Sequence, residues 1–433
     1  MQAQIIKYIL KEGKVMKGKV KKVICIVLCT AILICCMSVG ASAYSYRTVY
    51  PFVFVHGLFG WGSDDGVNDY FSYWGMTNIN LFNYLERQGY ECINAGVGTI
   101  SSAWDRACEL YAQLVGGTVD YGAAHSAEHN HDRYGVTYDE PLLDQWDSEH
   151  KINLVGHSFG GATTRLFVQL LAEGSEEERA ATPEDELSPL FKGGLGDRVF
   201  SVTALAAPHN GTSFFEASGW AGDLLVALFC SLAVFSGSTR LSDLFDPTLG
   251  QFGVSYELDL DAVAKLDIDY EVIKQLLNSK DTAFYDLTID GAAELNSQIE
   301  AQPNIYYYSY AGSRTHLDES TGNYVPDDEM WPLLKPFAKI IGQYTGVTEG
   351  GYVIDEKWLE SDGLVNKISA LAPFDEPSVT YRTGQKTQPG IWYVMPVQQM
   401  DHLAFPGGLF NIGWFQLSRF YTEFMFLVTR SGK

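Results

Sequence analysis

This sequence predicts an α/β fold built on a mainly parallel sheet, and three observations carry that expectation. Short runs rich in β-branched and aromatic residues recur along the chain. Helical patterns fall between them, the alternation that a parallel sheet with crossover helices requires. No internal repeat, low-complexity tract or linker interrupts the pattern, so one domain with large insertions is expected over residues 44–433. With 433 residues, 46% hydrophobic and 19% charged, the chain has ample apolar material for such a core.

The first 43 residues stand apart. Met1 to Lys22 carries seven Lys and one Glu, Val23 to Met37 is a nearly unbroken apolar run, and Ala41-Ser42-Ala43 is an A-x-A cleavage pattern. These features predict a secretory signal peptide over residues 1–43. The competing reading is an N-terminal anchor, but the run is shorter than the roughly 20 residues that a spanning helix needs. Met16 is an alternative start, because Lys17-Gly18-Lys19 still supplies a basic segment. Residues 1–43 carry a net +6, so removing them takes the formal charge from −23 to −29. Such acidity argues against nucleic acid and against anionic membranes as electrostatic partners. Four of the seven Cys lie in the leader. Cys92, Cys108 and Cys230 remain, an odd number that makes no disulfide framework, although a Cys92–Cys108 bridge stays open.

The elements follow in order. Val49 to Val55 reads as a strand, leading into the Gly-rich loop His56-Gly57-Leu58-Phe59-Gly60-Trp61-Gly62. Leu81 to Gln88 reads as a helix and Glu91 to Ala95 as a strand. Ser102 to Val115 is a helix with apolar Ala103, Ala107, Leu110, Tyr111 and Leu114 on one face. A polar, His-rich loop is expected over Gly116 to Asp139, and a charged, solvated stretch over Ser175 to Asp185. Arg198 to Ala206, Asn304 to Tyr310 and Gly390 to Val397 read as later strands.

Between the His-rich loop and the charged stretch lies Lys151 to Gly161. A β-branched run meets Gly156-His157-Ser158-Phe159-Gly160, a match to G-x-S-x-G, and a helical pattern starts at once. Strand, tight turn and helix are the context in which this motif presents a nucleophilic serine. A serine hydroxyl needs a base, and in the α/β-hydrolase order the acid and then the His follow the Ser. Only His209, His316 and His402 come after Ser158. His402, in a loop beyond the last strand, sits where that order places the base; surface or packing roles suit the other two. For the acid, Asp362 precedes Gly363 in a tight turn that would present its carboxylate, with Glu360 and Asp355 as alternatives. Asp401 adjoins His402, but sequence neighbours rarely face one another. The expected chemistry is acyl transfer: Ser158 attacks an ester carbonyl, His402 moves the proton, and Asp362 orients and stabilises the imidazolium. Two backbone amides, of Leu58 and Phe159, would bind the oxyanion.

These motifs together resemble a family. The His56–Gly62 loop, Gly156–Gly161, Ala207-Pro208-His209-Asn210-Gly211-Thr212, Asp362-Gly363-Leu364-Val365-Asn366 and Asp401-His402-Leu403 occur in its order. They are similar to the secreted lipases of staphylococci and thermophilic bacilli, bacterial lipase family I.5, from about Tyr50 to near the C-terminus. The resemblance implies an α/β-hydrolase fold and triacylglycerol hydrolysis. It puts the triad on Ser158, Asp362 and His402 and the oxyanion amides on Leu58 and Phe159.

It also bears on metals. His125, His129 and His131 are a metal-ligand candidate or a solvated loop on composition alone. The family carries a structural zinc (Zn2+) held by two Asp and two His, in an insertion that would span about residues 105–140 here. The resemblance implies Asp105, His125, His131 and Asp261 as ligands, with Glu257, Asp259 and Asp267 close to the last of them. The same lipases bind calcium (Ca2+) near the catalytic His. Where they have Glu two residues later this chain has Ala404, and an expected Asp is Leu409, so a degraded calcium site is expected.

Trp220 to Phe235 is nearly all apolar, with Leu224, Leu225, Leu228, Phe229 and Leu232 among its residues. It reads either as a core helix or, as the resemblance implies, as a lid over about residues 212–238 that opens on a lipid surface. Phe159 would place a large ring beside the nucleophile and so influence substrate preference. The function expected is a secreted, extracellular triacylglycerol lipase acting at an oil–water interface, with no nucleic-acid partner and no membrane anchor after signal cleavage. A carboxylesterase for short or soluble esters and a catalytically silent zinc-stabilised binding protein are the competing readings.

Overall fold

The computed structural model describes residues 50–63, 68, 71–78, 80–218, 279–408 and 411–432. The leader, the apolar segment Trp220–Phe235, Cys230 and Asp261 therefore lie outside the described residues.

Seven parallel strands form the central sheet: β1 (Phe52–Val55), β2 (Cys92–Ala95), β3 (Ile152–His157), β4 (Val199–Leu205), β5 (Tyr306–Tyr310), β6 (Ser378–Thr380) and β7 (Trp392–Val394). Their spatial order is β6-β7-β5-β4-β3-β1-β2. β3 is buried along its whole length, as a central strand covered on both faces must be. Helices flank the sheet, which gives the α/β-hydrolase class expected. Tyr421 of helix Trp414–Val428 and Phe82 of helix Leu81–Arg87 both pack on Phe54 of β1. Helices Ala103–Val115 and Phe159–Glu173 pack against each other.

One topological feature positions the site. From β1 the chain moves outward to β2, whereas from β3 it moves the other way to β4. Neighbouring strands whose connections diverge leave a crevice at their carboxyl ends, where open α/β sheets bind ligands. Here those ends are His56-Gly57-Leu58 and His157-Ser158.

Some elements differ from the sequence reading. The expected loop at 116–139 holds an antiparallel ribbon, Gly117–Asp120 with Tyr134–Tyr138, and a short helix, Ala123–His129. The stretch read as solvated contains helix Glu176–Ala181, and its Glu178 is buried. Glu178 accepts from the amides of Ala124 and His125 at 3.0 and 2.8 Å, so it caps the neighbouring helix instead of facing solvent. Edge strand β6 is three exposed residues, too short for an alternation signal. Cys92 and Cys108 are both free, so the bridge left open is not formed.

Candidate active site

Ser158 stands between β3 and helix Phe159–Glu173 with φ 54° and ψ −127°, a strained conformation for a residue with a Cβ. The surrounding glycines make it attainable. A Cβ on Gly156 would lie 2.4 Å from the Gly160 carbonyl oxygen, and one on Gly160 would lie 2.2 Å from that of Val55. The Ser158 amide donates to the Leu205 carbonyl at 2.9 Å, which pins the turn to β4.

His402 opens a short 3-10 turn, His402–Ala404. Its Nδ1 lies 2.8 Å from Asp362 Oδ2, and its backbone amide donates to the Asp362 carbonyl at 2.9 Å. Asp362 Oδ1 accepts from the amides of Leu364 and Val365 at 3.1 and 2.8 Å, in a turn that Gly363 completes at φ 110°. Both side chains are buried. A carboxylate accepts, so Nδ1 carries the hydrogen and Nε2 is left as the base.

The alternatives are committed elsewhere. Glu360 pairs with Lys367 and accepts from the Ser313 hydroxyl at 2.7 Å. Asp355 caps the turn Glu356–Trp358. Asp401 accepts from the amides of Trp331 and Ala404 at 2.9 and 3.0 Å and from the Asn411 side-chain amide. Its carboxylate thus already has donors in the segment where the family calcium was sought. His209 is buried against the Trp392 ring, and His316 is an exposed partner of Asp327 at 2.6 Å.

In the loop after β1, the amides of Gly57, Phe59 and Gly60 donate to Tyr73, Thr99 and Gly57 respectively. The Leu58 amide has no such partner among the described residues. Ser158 and His402 line a cleft with Leu58, Trp61, Met76, Phe214, Phe215, Leu287, Leu364 and Leu403. The wall is dominantly apolar, which suits an apolar substrate body beside one polar reacting group. Phe159 does not contribute its ring. That ring is fully buried, with the Arg106 guanidinium 4.9 Å from its centroid. The expected influence of Phe159 on the pocket is therefore corrected: the elbow turns its side chain into the core.

A second cluster gathers residues of helix Ala103–Val115, of helix Ala123–His129 and the turn after it, and of the segment before Thr282. Asp105, His125, His131 and Asp281 each offer a ligand atom, all within 4.8 Å of one another. This is a possible metal-binding group. The fourth member is Asp281, where the sequence reading had Asp261. Asp281 reaches the cluster because the isolated bridge between Ser101 and Thr282 docks its segment beside helix Ala103–Val115. His129 stays outside the group, although its ring lies 4.6 Å from that of His125.

The cluster is under-satisfied. Asp281 Oδ1 and Oδ2 and His131 Nε2 are buried without a hydrogen bond. His131 Nδ1 lies 2.8 Å from the Asp132 carbonyl, which can only accept. In the neutral ring Nε2 is therefore a lone pair, and it faces Asp281 Oδ2 at 3.4 Å. Lone pair against carboxylate is repulsive unless a cation sits between them. His125 shows the same demand for positive charge. Burial lowers its pKa, but the carboxylates of Asp105 and Asp281, 3.2 and 3.3 Å from its Nε2, outweigh burial and raise it to about 9. Asp105 is pushed up, by burial first and by Asp281 next.

With the geometry in place, comparison with known proteins becomes informative. The family model described as "Lipase-like, C-terminal domain" matches residues 48–423. The chain belongs to this lipase-like family. It is 38% identical over 363 residues to "Lipase 2" of Staphylococcus aureus, covering 83% of this chain and 50% of that protein. The chain thus spans about half the length of the curated relatives it matches. Among solved structures, EstA from Clostridium botulinum is 36% identical with a TM-score of 0.79, covering 89% of this chain and 88% of that one. Staphylococcus hyicus lipase is 32% identical with a TM-score of 0.72, covering 89% and 97%.

Proposed function

We propose that this chain is a lipase that hydrolyses the ester bonds of triacylglycerols through an acyl-enzyme formed on Ser158. The observation that carries the proposal is the 2.8 Å bond from His402 Nδ1 to Asp362, beside a strained Ser158 that opens on the same apolar cleft. In this reading His402 Nε2 takes the Ser158 proton as the hydroxyl attacks the carbonyl carbon. The amides of Leu58 and Phe159 bind the oxyanion. His402 then returns the proton to the leaving alcohol, and water repeats the sequence to release the fatty acid. The apolar wall holds the acyl chain. The names of the S. aureus and S. hyicus relatives support a lipase.

Zinc fits the second cluster. Two imidazoles and two carboxylates make a closed tetrahedral set with no position for water, so the ion would be structural. Asp105, His125, His131 and Asp281 would hold it, tying the inserted ribbon and the Asp281 segment to helix Ala103–Val115. Export through residues 1–43 and a lid over about residues 212–238 complete the proposal; no described helix is long and apolar enough to cross a membrane.

The deciding assay compares the parent with Ser158→Ala on a long-chain triglyceride emulsion and on a short-chain soluble ester. Equal rates for the two proteins sink the mechanism. Hydrolysis of the short ester alone by the parent favours a carboxylesterase. A lid predicts a jump in rate as substrate passes from monomers to emulsion, lost on deleting Trp220–Phe235.

A further inference from the structure

A buried line of hydrogen bonds connects the three loops that carry the proposed reacting groups. It starts beside Leu58, at Gly57: the Gly57 amide donates to the Tyr73 phenol oxygen at 3.0 Å. That oxygen lies 2.5 Å from His157 Nδ1. His157 Nε2 lies 3.0 Å from the carbonyl oxygen of His402. Chemistry forces the direction. A carbonyl oxygen only accepts, so Nε2 carries the hydrogen. Burial, and after it the charge of His402, holds the His157 pKa well below the usual range, so the ring is neutral. Nδ1 is then a bare lone pair, and the phenol donates to it.

We propose that Tyr73 and His157 are positioning residues: their hydrogen-bond line holds the oxyanion loop, the nucleophile turn and the base loop in one register. The inference rests on reading Leu58, Ser158 and His402 as the reacting groups. Gly57 moves with Leu58, His157 moves with Ser158, and the His402 carbonyl moves with its ring. The three loops are brought together only by folding, since His157 and His402 are 245 residues apart in sequence. No proton travels along the line; its work is geometric. Tyr73 has little freedom to do otherwise, because it packs edge-on against Trp61 and Trp74 at 5.5 and 5.1 Å. Phe at 73 and Leu at 157 would fill similar space without polar groups to desolvate. Instead each polar atom in the line is satisfied by the next, the condition under which a buried network rigidifies a site.

Tyr73→Phe in the full chain removes only the hydroxyl. It leaves the Gly57 amide and His157 Nδ1 without their partner. We expect kcat to fall about 10- to 100-fold, the scale that a misplacement near 1 Å produces. KM should stay within about twofold, as for an interaction that matters in the transition state alone. Nitrogen-15 NMR should show His157 as the Nε2–H tautomer in the parent and as a mixture in the variant. A second pair guards against misfolding of that variant. His157→Gln keeps an N–H for the His402 carbonyl and should retain at least about tenfold more kcat than His157→Leu, which keeps none. Parental kcat in Tyr73→Phe, or equal kcat in the Gln and Leu variants, overturns the proposal. Ser158→Ala, run alongside, separates the two levels. If it is inactive while Tyr73→Phe works at the parental rate, the positioning line alone falls. If Ser158→Ala is fully active, the reading of the site falls with it.

Discussion

Among the described residues, an Asp–His pair beside Ser158 and an Asp–His cluster around Asp281 are built on different terms. Around Ser158, the polar atoms of Asp362 and the Nδ1 of His402 have partners, and the base loop is held through the His402 ring by Asp362 and through the His402 carbonyl by His157. Around Asp281, three buried polar atoms have none. The first arrangement holds its carboxylate and imidazole by hydrogen bonds. The second sets two carboxylates and two imidazoles with ligand atoms within 4.8 Å of one another, a possible metal-binding group. The difference teaches that residue type alone does not separate a catalytic Asp–His pair from a metal-ligating one. What differs between these two groups is the set of hydrogen bonds each one makes.

The strongest way to break the contrast is to disable one cluster and watch the other. Ser158→Ala should lower kcat at least about 10⁴-fold while bound zinc, read by metal analysis, stays at the parental level. Loss of zinc in this variant would mean that the clusters are not independent. Asp362→Asn comes next. An amide nitrogen turned toward Nδ1 donates instead of accepting and favours the wrong tautomer, so kcat should fall about 10³- to 10⁴-fold with the melting temperature little changed. A fall under about tenfold would say that Asp362 does not orient the base.

The converse experiment acts on the metal group. Asp281→Ala removes one ligand and should abolish stoichiometric zinc binding. The melting temperature should drop by about 5–10 °C, as should that of the parent after chelation. At low temperature kcat should remain near the parental value, because no reacting group touches the cluster. A variant that keeps its zinc and its melting temperature would remove Asp281 from the ligand set. Asp261→Ala, made in parallel, tests the residue that sequence reasoning chose.

Legibility in the sequence follows from how local each signal is. Ser158 was readable because the strand, its glycines and the helix lie within about a dozen adjacent residues. Asp362 was readable from Gly363, which marks the turn that presents it. His402 needed only chain order. Asp281 was not readable, because it lies far along the chain from His131 and arrives through a bridge at Ser101 that leaves no local pattern. The family resemblance implies Asp261 instead, which lies outside the described residues. Tyr73 and His157 gave no signal either. A tyrosine after an unpatterned stretch and the variable residue of G-x-S-x-G carry nothing until the loops meet. The fold was legible wherever strands were long and apolar, and edge strand β6 escaped because it is neither.

Phe159 supplies the finest test of the comparison, because it follows Ser158 in the chain while its side chain lies in the core. Sequence adjacency to Ser158 put its ring in the pocket; the left-handed turn at Ser158 sends it instead under Arg106. Arg106 is fully buried, and burial lowers its pKa to about 10. The aromatic face offers that cation an electrostatic partner in the dry interior, a contact worth about 0.5–2 kcal/mol. Phe159→Leu keeps the backbone amide for the oxyanion but loses the π-face and some packing. We expect a cost of about 1–2 kcal/mol, a drop in melting temperature of about 2–4 °C, and an unchanged ranking of acyl-chain lengths. A changed ranking with unchanged stability would return the ring to the pocket. The outcome expected instead says that, at this elbow, the ring of the residue after the nucleophile contributes to stability and not to the choice of acyl chain, because the turn at Ser158 sends it into the core.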